Sequence, residues 1–397
     1  MDTPPATEGA ESAETLELEI ERLAPGGEGV GRDPAGRVVF VPFTAPGDRV
    51  RVRIEAARPR FARGSVEALL RPGPGRAEPR CEAFGACGGC AWQHVTYPVQ
   101  LEAKREFIRD AIRRIAHLPV PEPLELVPCP QPYGFRIRTR ARVEDGRVGY
   151  RQRRSHTLCP TRHCPVLAPA LERALVELPA RARGRSGDWW LAQDRDGHAH
   201  AAPADPPPSA RVRLEVGGRS LECGLGGFTQ ANGPLFETLA AAVVEAAGRG
   251  ATALELFAGA GYLTLGLARA FERVLAVEGD RHAARDLARN CARAGAGSVE
   301  VIPAPVERAL RASPVAGCAP QVVVLDPPRA GLPADASAAL CGLGAERLVY
   351  LSCDPATLAR DAARIVAGGF ALASLKGFDL FPQTPHVETL AVFARAS

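Results

Sequence analysis

From Thr15 to Leu70 the chain alternates apolar and polar residues in short runs broken by glycine and proline. Thr15–Ile20, Val38–Pro42, Arg49–Ile54 and Phe61–Leu70 carry the two-residue period of half-buried strands, and residues 26–31 read as a loop. These short strands predict an OB-like barrel over residues 14–72, an architecture that often binds single-stranded nucleic acid. In Arg49-Val50-Arg51-Val52-Arg53-Ile54 arginine takes every second position. Pro72-Gly73-Pro74-Gly75 is a linker into a central segment, residues 73–230, rich in Cys, Arg and Gly. Inside it, Leu101, Phe107, Ile108, Ala111, Ile112 and Ile115 form one stripe, predicting a helix over 99–117 that packs on the following domain. Residues 181–209, Arg-, Gly- and Pro-rich around Trp189-Trp190, read as a surface excursion.

Beyond residue 231 apolar runs of strand length alternate with helical patterns. Strands are expected at 253–257, 274–278, 299–302, 322–325 and 348–352, then at 370–376 and 388–393 with no long helix between the last two. This is an α/β, Rossmann-like doubly wound sheet over 231–397 with an antiparallel finish. Residues 1–13 are acidic and rich in Pro and Ala, the composition of a disordered tail, and have no apolar core.

Composition changes this picture in two respects. The chain has 397 residues, 46% hydrophobic and 24% charged, with no apolar run of membrane-spanning length. Its 11 cysteines, with no export signal, fit a reducing cytoplasm rather than a disulfide frame, and a monomer is expected. The net charge of +4 hides a segregation. Residues 49–76 carry eight arginines against Glu55 and Glu67, and residues 133–164 nine against Glu144 and Asp145. Residues 231–397 balance 15 basic against 16 acidic side chains. Clustered arginine away from a neutral catalytic part is the footprint of phosphate-backbone binding, so RNA is the expected partner.

The glycine-rich turn Leu254-Glu255-Leu256-Phe257-Ala258-Gly259-Ala260-Gly261 lies between a strand and a helix, and 19 residues after Gly259 Glu278 ends the next strand. A carboxylate there can accept both hydroxyls of a ribose. With little to bind a pyrophosphate, the loop suits S-adenosylmethionine. Asp326-Pro327-Pro328-Arg329 caps the fourth strand at the cleft rim. Cys353 ends the fifth and precedes Asp354-Pro355, a helix start that can lower a thiol pKa, and Glu388 opens the last strand. A thiolate adding to carbon 6 of uracil activates carbon 5, and a base must then remove the carbon 5 proton.

The segment 14–70 resembles the TRAM domain of RNA-modifying enzymes. Ser352-Cys353-Asp354-Pro355-Ala356-Thr357 with His386-Val387-Glu388-Thr389 resembles the two signatures of the RNA uracil-5-methyltransferase family. Phe228-Thr229-Gln230-Ala231-Asn232 and Asp326-Pro327-Pro328-Arg329-Ala330-Gly331 resemble two further motifs of that family, in the same order. The resemblance implies a class I methyltransferase domain with Cys353 as nucleophile and Glu388 as proton acceptor. It also implies that Gln230, Phe257, Tyr262, Glu278 and Asp326 surround the cofactor and target base, although family members often carry Asn where Tyr262 stands.

Cys81-x5-Cys87-x2-Cys90 gathers three thiols within ten residues, and Cys164 or Cys159 can supply a fourth. Spacing leaves an iron–sulfur cluster and zinc both open. In the ribosomal-RNA branch of the family this spacing holds a 4Fe-4S cluster, with its fourth ligand before Pro-Val-Leu. That resemblance selects Cys164 and 23S ribosomal RNA. Transfer RNA is the alternative substrate, and a non-catalytic RNA-binding iron–sulfur protein the alternative class.

Overall fold

The computed structural model describes residues 14–205 and 209–396, so the acidic segment 1–13 lies outside the described residues. Strands β1 (Thr15–Leu23), β2 (Gly29–Arg32), β3 (Val38–Val41), β4 (Arg49–Ala57) and β5 (Phe61–Arg71) close into a barrel in the order β1-β2-β3-β5-β4. Val50 and Val52 point inward with Leu18, Ile20, Val39, Val41 and Ala62, leaving Arg49, Arg51 and Arg53 outside. The glycine run expected as a loop is partly strand β2. A Cβ on Gly29 would stand 2.0 Å from Thr44 Oγ1, and one on Gly31 2.5 Å from the Glu19 carbonyl. These glycines serve close barrel packing, a use that sequence does not separate from loop flexibility.

The barrel is clamped to the cysteine-bearing segment. Asp48, fully buried, accepts from Arg76 at 2.6 Å and from the Gly73 amide at 2.8 Å, and Trp92 Nε1 donates to the Gly27 carbonyl at 3.0 Å. After the cysteine loop comes α1 (Tyr97–Ala111), ended by one π-helical turn, Ile112–Ala116, and left-handed His117. Strand β6 (Glu125–Val127) comes next.

Strands β7 (Arg138–Glu144), β8 (Arg147–Arg151), β9 (Leu158–Pro160), β10 (Gly187–Gln193) and β11 (Ala199–Pro203) form an antiparallel sheet in the order β11-β10-β7-β8-β9. Helix α2 (Pro169–Ala182) covers one face, burying Leu171, Leu175 and Leu178 with Val143, Trp189 and Leu191. The 181–209 excursion is therefore corrected to two sheet strands. Trp189 and Leu191 face the core while Trp190 faces the arginines, an alternation masked by the Arg, Gly and Pro around it.

The catalytic body begins with a hairpin, β12 (Arg211–Val216) and β13 (Arg219–Gly224), then α3 (Phe236–Ala247), β14 (Gly250–Leu256), α4 (Thr264–Ala270) and β15 (Phe271–Glu278). Next come α5 (Arg281–Arg293), β16 (Val299–Pro303), α6 (Val306–Ala309), β17 (Val322–Leu325), α7 (Ala334–Gly342) and β18 (Arg347–Ser352). It ends with α8 (Pro355–Ala367), β19 (Phe370–Phe378) and β20 (Glu388–Arg395). The eight-stranded sheet has the order β16-β15-β14-β17-β18-β20-β19-β6. Strands β14 to β18 are mutually parallel, and β20 runs antiparallel to both neighbours. The order reverses between β14 and β17, which opens a crevice at their carboxyl ends.

Two boundaries move relative to the sequence reading. Strand β6 pairs with β19 and α1 packs against α8, so residues 97–127 complete the catalytic sheet. The hairpin is fastened to α5 by Arg211 to Asp286 at 2.7 Å and by the Glu222 amide to Asn290 at 3.0 Å, so this body starts near Arg211 instead of residue 231.

Candidate active site

Ser352 on β18 lies opposite Thr389 on β20 in antiparallel register. Cys353 therefore leaves one strand where Glu388 enters the other, at the same end of the sheet. Leu325 pairs with Tyr350, which brings Asp326 to that end from the neighbouring strand. Beneath the 326–332 loop, buried Asp361 accepts from the Tyr350 hydroxyl at 2.9 Å and the Leu332 amide at 2.8 Å. Gly331 is left-handed there, with φ +71°, and a Cβ would strike Asp361 at 2.3 Å.

Nucleophile, base and Asp326 share a dry site. Burial pushes the Asp326 carboxyl up to about 7. Burial and then the Asp326 charge hold Glu388, 2% exposed, well above the usual carboxylate range, against the pull of Arg329. Burial, then Glu388, push the Cys353 thiol up to about 11, while Arg329 opposes them by charge and hydrogen bond. The expected lowering by the helix is not what results. Asp354 caps α8 by accepting from the Thr357 amide, while burial and the Glu388 and Asp326 charges raise the thiol. Two residues without an assigned role enter the site: Arg329, the cation facing the thiol, and Glu255 on β14, fully buried and raised by burial to about 8. Arg329 belongs to the Asp-Pro-Pro-Arg motif; Glu255 carries no local signal in an apolar run.

The glycine loop is tightly shaped. Phe257 is left-handed at φ +62°, and Gly259 and Gly261 follow at +57° and +101°. Glu278 accepts from the Gly259 amide at 2.7 Å and the Asp280 amide at 2.6 Å, tying the loop to the end of β15. Tyr262 turns its hydroxyl to the Phe236 carbonyl and packs on the Phe236 ring, centroids 4.6 Å apart. Its visible contacts thus hold the start of α3. Gln230 is buried in a segment whose Phe228 is 76% exposed, and Asn232 fixes that segment by donating to the Leu380 carbonyl at 3.0 Å. A cleft of about 500 Å³ adjoins Glu278, lined by Gly279, Arg281, Ile302, Pro303 and Ala304 among others.

Cys81, Cys87 and Cys90 lie on one loop, and each of the three raises the Cys164 thiol or is raised with it. Burial, followed by neighbouring thiols, pushes Cys87 up to about 11 and Cys164 to about 12. Cys159 also acts on Cys81 and Cys87, but is buried on β9 with the Thr161 hydroxyl against its sulfur at 3.9 Å. The donor set suits a metal that binds thiolates, because neutral thiols clustered in a low-dielectric site ionise only against a cation. Arg136 Nε, buried beside Cys90 without a hydrogen-bond partner, suits an anionic thiolate cluster. Among the described residues, the trio of ligating groups gathered within 4.8 Å is half-buried Asp194 with exposed Asp196 and His198, so no three of these sulfurs stand at the spacing of a preformed zinc tetrahedron. No helix among the described residues is long and apolar enough to cross a membrane.

A TRAM domain model matches residues 10–66 and a tRNA (Uracil-5-)-methyltransferase model residues 211–396. The chain is 33% identical to the 23S rRNA (uracil(1939)-C(5))-methyltransferase of Halomonas elongata, across 94% of this chain and 88% of that one. The same enzyme of Chromohalobacter salexigens is also 33% identical, over 95% and 89%. Among solved structures, the tRNA (uracil-54, C5)-methyltransferase of Pyrococcus abyssi, in complex with S-adenosyl-L-homocysteine, superposes with TM-score 0.75. It covers 96% of this chain and all of its own at 23% identity, a likeness of fold. With these matches spanning nearly its whole length, the chain belongs to the RNA uracil-5-methyltransferase family and is an S-adenosylmethionine-dependent enzyme of that family.

Proposed function

We propose that the enzyme methylates carbon 5 of one uridine in 23S ribosomal RNA through a covalent Cys353–uracil intermediate. The observation that carries this reading is the β18–β20 register, which sets a thiol and a carboxyl face to face at a buried sheet end. Cys353 as thiolate adds to carbon 6, and the electron pair moves to carbon 5 and oxygen 4. S-adenosylmethionine supplies the methyl group to carbon 5 and leaves as S-adenosylhomocysteine. Glu388 as carboxylate then takes the carbon 5 proton, the carbon 6–sulfur bond breaks, and the thiolate leaves with its pair. Arg329 favours the charged forms of both groups, which burial disfavours. Phe257 and Glu278 shape the donor site: Glu278 ties down the glycine loop through the Gly259 and Asp280 amides and keeps lone pairs on its oxygens that would accept from a ribose, beside the cleft lined by Gly279 and Ile302. Gln230 and Asp326 orient the uracil, and Tyr262 supports them by fixing α3.

The ribosomal substrate is supported by the Halomonas and Chromohalobacter relatives, whose names state 23S rRNA. RNA is held on the face of the central sheet away from α2, where half-exposed Arg140 lies 5.3 Å from the Trp190 ring; Arg138, 5.1 Å from the same ring, is buried and donates to the Leu225 carbonyl. Cys81, Cys87, Cys90 and Cys164 hold a 4Fe-4S cluster that braces this region; the half-buried thiols that raise one another and the unpartnered Arg136 Nε support it.

RNA carrying 5-fluorouridine at the target traps the adduct, since no proton can leave carbon 5. Cys353→Ala should give none, and Glu388→Gln should accumulate adduct on unmodified RNA. An adduct persisting in Cys353→Ala would sink the assignment. A transfer RNA transcript methylated in preference to a 23S fragment would reassign the substrate. Cys81→Ser, Cys87→Ser, Cys90→Ser or Cys164→Ser should each bleach the brown protein and Cys159→Ser should not; colourless protein with one zinc would replace the cluster.

A further inference from the structure

Glu388 is delivered by a nine-residue connection, 379–387, between β19 and β20. Connections of this length normally run exposed over the surface. This one is buried, and its fixing groups come from distant parts of the chain. Gln383, 2% exposed, has φ +68°, a conformation that non-glycine residues keep only when their surroundings hold it. Its amide donates to Gln100 Oε1 at 2.9 Å, and its own side-chain oxygen lies 3.0 Å from Gln100 Nε2. Its carbonyl accepts from both Ala91 and Trp92 amides at 3.0 Å, the two residues after Cys90. Gln100, fully buried on α1, also donates towards the Trp92 and Val95 carbonyls at 3.1 and 2.9 Å. The cysteine loop, α1 and the connection to Glu388 therefore meet in one pair of glutamines.

We propose that Gln383, held by Gln100, is a positioning residue for Glu388, and that this pair passes the order of the cysteine loop to the proton-abstraction step. The inference rests on Glu388 being the base. If the pair sets where Glu388 stands, its loss slows removal of the carbon 5 proton after the methyl has moved. RNA binding, on arginines elsewhere, is spared.

The full-length enzyme and unmodified target RNA test this. Gln383→Gly keeps the left-handed backbone and removes the side chain. It should lower kcat about tenfold to a hundredfold, the scale expected of a slightly misplaced catalytic group, with KM for RNA within about twofold. Methylated protein–RNA adduct should build up on denaturing gels, and Gln383→Asn, which tolerates this backbone, should recover part of kcat. Wild-type kcat, or a fallen kcat without adduct while Glu388→Gln does accumulate it, overturns the proposal. Absence of adduct in Glu388→Gln instead removes the base assignment, and this inference with it. Should Gln383→Gly not fold, Gln383→Asn and Gln100→Glu, which keeps only the acceptor, carry the same comparison. In Cys90→Ser protein, hydrogen exchange over 379–388 should quicken; unchanged exchange removes the link to the cysteine loop.

Discussion

Raising the pH should accelerate the first covalent step steeply, because the thiol that makes it is stored in its neutral form. Burial, then the Glu388 and Asp326 charges, push Cys353 up to about 11 against the pull of Arg329. A group raised in this way gains its charged form only as pH climbs towards that value. At pH 8 about one thiol in a thousand is ionised, equivalent to about 4 kcal/mol of barrier at roughly 1.4 kcal/mol per pH unit. Rapid-quench adduct formation on 5-fluorouridine RNA isolates this step, since later release is blocked. Its rate constant should rise about tenfold per pH unit between pH 7 and 9, without a plateau. Arg329→Met removes the cation that opposes the shift, so the rate should fall at every pH while the slope persists. A pH-independent rate over that range would mean a preformed thiolate. Faster reaction in Arg329→Met would reverse the sign assigned to the arginine.

Two further tests probe the frame. Lys104 and Asp379, both fully buried, pair at 2.5 Å, and Asp379 Oδ2 has no second partner. Lys104→Met should cost about 3–5 kcal/mol in urea unfolding, and Lys104→Met with Asp379→Leu should recover much of it; a single-variant loss below about 1 kcal/mol would contradict the burial. On the RNA face, Arg140→Gln should lower the slope of log affinity against log salt by about 0.7–0.9 if that arginine meets a phosphate. Trp190→Ala should cost about 1–3 kcal/mol of single-strand binding at an unchanged slope, as stacking does. The reverse pattern would assign the face to another partner.

Legibility in the sequence followed the range of the signal. Cys353 and Glu388 each sit in a short motif at a strand end, so local pattern singled both out; that the two ends adjoin follows from the antiparallel pairing of β18 with β20. The raised Cys353 thiol was not legible, because the helix start is local while Glu388 and Asp326, which raise it together with burial, arrive from two other strands. Strands β10 and β11 were hidden because Trp190 takes an outward position of the β10 alternation and stretches rich in Arg, Gly and Pro flank both strands. Strand β6 has three residues, too few for a period to show. Gln100 and Gln383 stand 283 residues apart, and neither has a neighbour in sequence that marks it as buried.

These contacts also bear on how the basic and neutral parts of the chain work together. A front half that merely tethered RNA could be cut away with the chemistry left intact, as the charge segregation suggests. The packing argues otherwise. Arg76 with Asp48, Trp92 with Gly27 and His94 with the Thr44 carbonyl at 3.1 Å seat the barrel on the cysteine segment. That segment reaches Gln383 through Ala91 and Trp92, and α1 reaches Asp379 and Phe381 through Lys104. Excising the barrel would expose the buried Trp92 indole, one residue beyond Ala91. Its effect would then spread to the connection that carries Glu388. Substitutions on solvent-facing positions such as Arg53 and Arg140 separate grip from chemistry; removing whole domains does not.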